Sequence, residues 1–295
     1  MTEIAAFVTD DAAESAERSV ERPARLRALA RSLLHGRGLV GLVLVAIVVV
    51  AGVCAPLLAP YNPTRQLDAS YLLTSTARHP LGTDELNRDV LSRVLYGIRT
   101  DLLIVAIGVP LGATLGGLVG LVSAGRRFGD VLAQRTFDVI LAFPALILGI
   151  ALAAILGPSA LTVIVVIAVA EVPVFGRLVR TQVLSVRERP YVEAATVSGA
   201  STGWILRRHV LPNVLEPLVV QLALSLSLGV FIEAGLSYLG VGVTPPTPAL
   251  GSMLASANDY LETNPAYAFG PLIAISALVL GFYLISQAVG AARRR

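Results

Sequence analysis

The sequence predicts an all-α membrane protein with six transmembrane helices and both termini in the cytosol. Three observations carry this reading. The 295 residues are 55% hydrophobic and only 15% charged, with a mean hydropathy of +0.74, whereas a soluble chain carries about a quarter charged residues. The apolar residues fall in blocks about 20 long, the length that crosses about 30 Å of hydrocarbon. The arginines gather in alternate connections between those blocks, as the positive-inside rule requires.

The apolar runs lie at 39–59, 102–123, 137–157, 160–180, 214–233 and 268–290. Pro110, Pro144 and Pro173 fall inside them, and neighbouring helices are expected to re-satisfy the backbone there. Gly157-Pro158-Ser159 separates the third run from the fourth, since one helix through both would overshoot the bilayer. Arg18 to Arg37, Arg126, Arg127 and Arg135, Arg177 to Arg208, and Arg293 to Arg295 share one side in a six-span scheme. The Gly157 turn and the 244–266 loop carry no arginine. Segment 61–100 is the exception, with Arg65, Arg78, Arg88, Arg93 and Arg99. It is placed outside because moving it would misplace every later segment. The chain thus divides into a cytoplasmic tail (1–38), a first span with an external segment (39–100), a five-span core (101–290) holding an arginine-bearing loop at 185–212, and a basic end (291–295).

In the tail, the acidic, serine- and alanine-rich residues 1–21 are expected to be disordered. Residues 23–37 set Leu26, Leu29, Ala30, Leu33 and Leu34 on one helical face among arginines, which suits a helix on the anionic leaflet or a plain basic flank. Segment 80–101 reads as an amphipathic helix outside the membrane. Thr83 or Asp84 would cap it, and Leu86, Val90, Leu91, Val94, Leu95 and Ile98 would line one face. It would brace the bundle or receive a soluble binding protein. In the second run, Gly108, Gly112, Gly116 and Gly120 recur every four residues, a row that lets another helix approach closely, from this bundle or from a second chain.

Composition also excludes chemistry. Every basic residue is an arginine, so no P-loop lysine exists and ATP energy must come from a partner. Cys54 is the only cysteine, so there is no disulfide framework and no cysteine-based metal site. Ala51-Gly52-Val53-Cys54 faintly resembles a lipoprotein cleavage site, but Val53 is branched and the preceding tail is long; the thiol reads as a plain buried one. The first span reads as its own insertion signal. His35, His79 and His209 form no metal-ligand spacing, so no metal site is expected. Glu171, Gln221 and Glu233 lie in or at the ends of spans. Such residues are costly in lipid and stand as candidates for a solute path, with Glu171 alternatively facing the helix break at Pro173 and Glu233 expected to be hydrated at the outer boundary.

Loop 185–216 is the most informative stretch. Pro190 suits a first helical turn, and Gly199 can end that helix in a left-handed conformation. Ser201 or Thr202 can start a second short helix, which Pro212 would stop. Asn213 with Glu216 would cap the fifth span. Two short helices fixed to two spans form a stiff lever on which an external force could act.

Glu193-Ala194-Ala195, Gly199 and Leu211-Pro212 resemble the EAA loop of permease subunits in ABC importers. Arg208-His209-Val210-Leu211-Pro212-Asn213 is similar to the version found in peptide-type permeases, with His209 where another version has isoleucine. His79 to Asp84 with Arg88 to Arg93, and Glu233 to Gly240 with Pro245-Pro246-Thr247-Pro248, resemble the C-type subunit of dipeptide, oligopeptide and nickel permeases. Asn87 stands where that family usually has glycine, Asp101 where serine is frequent, and residues 282–295 lack the usual acidic ending. The resemblance implies the six-helix fold of the importer permeases. It implies a non-catalytic subunit without a cofactor of its own, ATP and Mg residing on two partner ATPase subunits. The other partners implied are a second homologous permease chain, an extracytoplasmic substrate-binding protein and membrane lipid; nucleic acid is not among them. Glu193, Ala194, Ala195, Gly199, His209, Leu211 and Pro212 would be the coupling residues, docking a helix at about 190–199 into the ATPase. The implied solute is a di- or oligopeptide, with a nickel chelate or another small solute as the alternative. A secondary transporter is the rival of another class, but it would show repeated halves and paired broken helices. An intramembrane serine protease would need a nucleophile and a basic partner inside spans, and a receptor or scaffold without transport is a further reading.

Overall fold

The structure is a computed structural model that describes residues 30–67, 74–125 and 127–292. Residues 23–29 of the anticipated tail helix at 23–37, and the tail before it, lie outside the described residues; residues 30–34 are helical. From there the chain forms α1 (Arg37–Val53), α2 (Ala55–Leu58), α3 (Val90–Ser123), α4 (Arg127–Leu141), α5 (Ala145–Leu156), α6 (Ala160–Arg187), α7 (Pro190–Val197), α8 (Thr202–Ile205), a π-turn (Leu206–Val210), α9 (Leu211–Tyr238), α10 (Leu250–Asn258) and α11 (Pro265–Ala292). Among the described residues the only β feature is an isolated bridge between Thr83 and Asp89.

Among the described residues four helices are long and apolar enough to cross a membrane: Val90–Ser123, Ala160–Arg187, Pro217–Tyr238 and Pro265–Ala292. A fifth crossing arises if α4 and α5 form one broken span, bent by 90°. Here the expectation of a continuous third span fails. Pro144 is not absorbed within a helix but serves as the N-cap of α5 at φ −55 and ψ 135, and its ring keeps Phe143 from continuing α4. The first run is also shorter than expected. α1 holds 17 residues, about 26 Å at the helical rise, before the chain breaks at Cys54.

The heart of the bundle is the pairing of α3 with α6, which run side by side in the same direction. An added Cβ at Gly108 would meet Ile167 Cβ at 3.1 Å; at Gly112, the Ala168 carbonyl at 2.5 Å; at Gly116, the Val172 carbonyl at 2.2 Å; and at Gly120, the Gly176 carbonyl at 2.2 Å. The glycine row is therefore filled by a helix of this same chain. α9 crosses the pair, its Gly229 lying against Val105 and Val109. α11 is tied to α9 by Ser227 Oγ to the Val279 carbonyl (2.8 Å) and Ser286 Oγ to the Val220 carbonyl (3.2 Å). Such serine contacts bind helices where water is absent. α1 rides on α11 through Gly41, which sits on Gly281 and Leu284. One apolar core runs through these helices around Val105, Val109, Val166, Ile167, Leu236, Leu250 and Leu278.

At one end of the bundle, residues 74–89 are not the expected amphipathic helix. Asp89, not Thr83 or Asp84, caps α3 by accepting from Ser92 N at 2.8 Å, and α3 then continues unbroken to Ser123. Upstream lies a buried polar clasp. His79 Nδ1 meets Asp89 Oδ1 at 2.8 Å and stacks on Tyr61 at 5.0 Å. Asp84 holds Arg88 at 2.7 Å and Arg93 at 3.3 Å, and Arg93 also donates to the Pro63 carbonyl. Tyr267 Oη donates to Glu85 at 3.0 Å and Asn264 to the Thr83 carbonyl at 3.3 Å, so the clasp grips the start of α11. Two of the five arginines that broke the charge pattern are thus spent on internal ion pairs.

Candidate coupling site

The opposite end carries the 185–212 loop, folded as an elbow of α7, α8 and the π-turn. Ser159 starts α6 by accepting from Thr162 N (3.1 Å) after Gly157 turns at φ 81, and α6 ends at Arg187, whose guanidinium donates to the Ala124 carbonyl at 3.1 Å. The elbow is thereby tied to the end of α3. Arg189 then caps α7 with Pro190 at its first position, where a missing N–H costs nothing.

Gly199 terminates α7 at φ 85. Gly199 N bonds the Thr196 carbonyl and Ala200 N the Ala195 carbonyl, both at 3.0 Å, the paired bonds of a Schellman ending. A Cβ here would meet nothing within 4 Å, so glycine is required by the backbone angle alone. Ser201 Oγ accepts from Trp204 N at 3.3 Å and starts α8.

Pro212 does not stop this second helix. The chain passes from α8 through the π-turn directly into α9, with Leu211 N bonding the Leu206 carbonyl five residues back. The wider turn gives room for a proline whose ring would otherwise meet the preceding turn. Asn213 consequently lies inside a continuous helix rather than at a fresh start. His209 lies in the π-turn.

The elbow has two faces. Inward, Val192 of α7, Val210 of the π-turn and Val214 of α9 join Ala124, Val179, Val183 and Val186 in a second apolar core. It fastens α7 to the ends of α3, α6 and α9 at once. Outward, Glu193, Ala194 and Val197 are exposed, and Arg189, Arg207 and Arg208 lie on the same exposed end; Ala195 is half-buried and Leu211 and Pro212 are exposed. Just inside the elbow, Arg180 holds Asp130 of α4 by two hydrogen bonds and Arg177 holds Asp138. Neither pair was singled out from the sequence, since a contact across 39 or 50 residues leaves no local pattern.

The intramembrane polar candidates divide. Glu171 and Gln221 are brought together through Ser225, which donates to Glu171 at 2.6 Å and accepts from Gln221 at 3.2 Å. Glu233 stands apart from them, fully buried, so the expectation that it is hydrated is corrected. The end of α9 is covered by residues 239–249 and by α10, whose Gly251 lies against the Ala234 carbonyl. Asp101, which stands where the resembling family frequently has serine, is also buried and interacts with Glu233.

A bundle of long apolar helices, with a short-helix elbow cored to the ends of three of them, defines a multi-pass membrane protein. Residues 108–295 match the family described as binding-protein-dependent transport system inner membrane component, and the chain belongs to that family. It is 36% identical over 250 residues to the dipeptide transport system permease protein DppC of Alkalihalophilus pseudofirmus, covering 84% of this chain and 82% of that protein. It is 39% identical over 259 residues to the di/tripeptide transport system permease protein DppC of Pseudomonas aeruginosa, covering 85% of each. Among solved structures, the inward-facing MetNI methionine ABC transporter matches with a TM-score of 0.54 at 22% identity, covering 68% of this chain and 95% of that one. An amino acid ABC transporter matches with a TM-score of 0.52 at 16% identity, covering 69% and 94%. At these identities the structures attest to the fold.

Proposed function

We propose that this chain is one permease subunit of an ATP-driven importer of di- or oligopeptides in a bacterial inner membrane. In this reading six segments cross the bilayer, α4 and α5 as one broken span and α1 as the first, with both termini and the elbow in the cytosol. The observation that carries it is the elbow itself: α7 is fastened inward to three spans while Glu193 and Ala194 face outward, free to meet a partner. A protein that hydrolyses ATP on another chain needs a handle of this kind. Closure of two ATPase subunits would move α7, and the second apolar core would pass that motion to α3, α6 and α9 as a rigid-body displacement. The peptide assignment draws support from the relatives' names, and delivery of the solute is assigned to an extracytoplasmic binding protein. Glu171, Ser225 and Gln221 are proposed to line the solute path where α6 meets α9.

The test is reconstitution of the chain with its neighbouring permease, ATPase and binding-protein subunits in vesicles. Wild-type vesicles are expected to accumulate peptide only with ATP. Glu193→Arg and Gly199→Val are expected to lower uptake at least tenfold while the chain still inserts. Undiminished uptake in both variants, or purification without any ATPase chain, overturns the coupling role.

A further inference from the structure

Asp101 of α3 and Glu233 of α9 lie 1% and 0% exposed, with their carboxyl groups within hydrogen-bonding reach of one another. Each has one oxygen satisfied by a neighbour. Leu250 N, at the start of α10, donates to Asp101 Oδ2 at 3.1 Å. Ser237 Oγ donates to Glu233 Oε1 at 2.7 Å and itself accepts from Val243 N at 3.2 Å. The remaining oxygens, Asp101 Oδ1 and Glu233 Oε2, are buried with no donor. A buried acceptor left without a donor carries a desolvation cost, and two carboxylates cannot face each other with both charges intact.

Neighbouring elements supply no cation to relieve this. α10, α11 and residues 239–249 hold no charged residue. On α3, Arg93 is engaged by Asp84 and the Pro63 carbonyl, and Arg99 is exposed. Tyr267 of α11 is turned to Glu85. A bound metal fits poorly, because two free oxygens fall far short of the about six that a hard cation takes, and no third metal-ligating side chain is grouped with them among the described residues.

We propose that Asp101 and Glu233 form a proton-binding site, holding one hydrogen between Asp101 Oδ1 and Glu233 Oε2. That hydrogen supplies the donor that both oxygens lack. It also closes a chain of bonds from Val243 N through Ser237, Glu233 and Asp101 to Leu250 N, so the proton fastens both ends of the 243–250 segment to α3 and α9. Its removal leaves two buried negative charges in contact and loosens that segment.

Infrared spectroscopy of the assembled transport complex tests this. At neutral pH the wild type is expected to show the carbonyl stretch of a protonated carboxyl, shifted by deuterium oxide. The band is expected to vanish in Asp101→Asn and in Glu233→Gln, whose amides supply the missing donor and preserve assembly, and to fade as the wild type is titrated to alkaline pH. Glu171→Gln identifies any contribution from that separate acid. Should neither amide variant assemble, the wild-type band decides alone once the Glu171→Gln contribution is subtracted. Its persistence supports the site and its absence overturns it. Loss of the band on adding sodium or calcium ions at constant pH points to a cation site and also overturns the proposal.

Discussion

Asp84 is the residue on which the buried clasp turns. Its carboxylate meets Arg88 and Arg93 and accepts two backbone N–H groups, from Leu86 at 3.0 Å and from Arg88 at 2.8 Å. Replacing it by asparagine leaves two guanidinium groups buried without their shared counter-charge, and breaking a buried pair in this way costs about 3–5 kcal/mol. Asp84→Asn is therefore expected to lower the thermal midpoint of the purified protein markedly, whereas Arg65→Gln, on the exposed side of the same segment, leaves it unchanged. A differential scan of both variants checks this. Asn87 belongs to the same turn at φ 61, a left-handed angle that asparagine tolerates better than most residues. At this scale the sequence is legible where a residue answers to its own backbone: Pro190, Gly199 and Ser201 sit where local chemistry assigns them. It is not legible for Glu233 or Asp101, whose surroundings come from residues far along the chain.

Helix α3 offers a comparison within a single element. Gly116 has the Val172 carbonyl at 2.2 Å from its absent Cβ, whereas the neighbouring Gly117 has only Val179 Cγ2 at 3.7 Å. Gly116→Ala is expected to push α3 from α6 and destabilise the protein by about 1–3 kcal/mol, as overpacking does. Gly117→Ala meets ordinary contact and gains helix propensity, so it is expected to be neutral or to stabilise by about 0.5–1 kcal/mol. Parallel thermal melts in detergent distinguish the two, and equal midpoints would show that the interlock is not tight. The four-residue spacing disclosed the row but not its occupant, because a smooth face looks the same whichever helix lies on it. The bend at Pro144 is hidden from the sequence for a related reason. Proline is tolerated in α3 and α6 at Pro110 and Pro173, and nothing local to Phe143 tells a tolerated proline from one that begins a new helix.

For the whole molecule, the composition and the alternation of apolar runs already implied a helical bundle in a bilayer, and the arginines implied its orientation. What they could not convey is that the chain carries two separate cores, one among the spans and one beneath them at the elbow. Orientation is open to direct measurement. With Cys54→Ser as a cysteine-free background, Ser198→Cys in the elbow is expected to react with a membrane-impermeant maleimide only from the cytosolic face, and Thr247→Cys only from the external face. The reverse pattern would place the elbow outside and remove any route to an ATPase. The glycine interlock, finally, restricts how such a protein can change shape. With carbonyls of α6 seated in hollows of α3 at successive levels, neither rod can slide along the other without climbing out of its notches, so the two travel as one plank and any gate must open by swinging along that plank's edges.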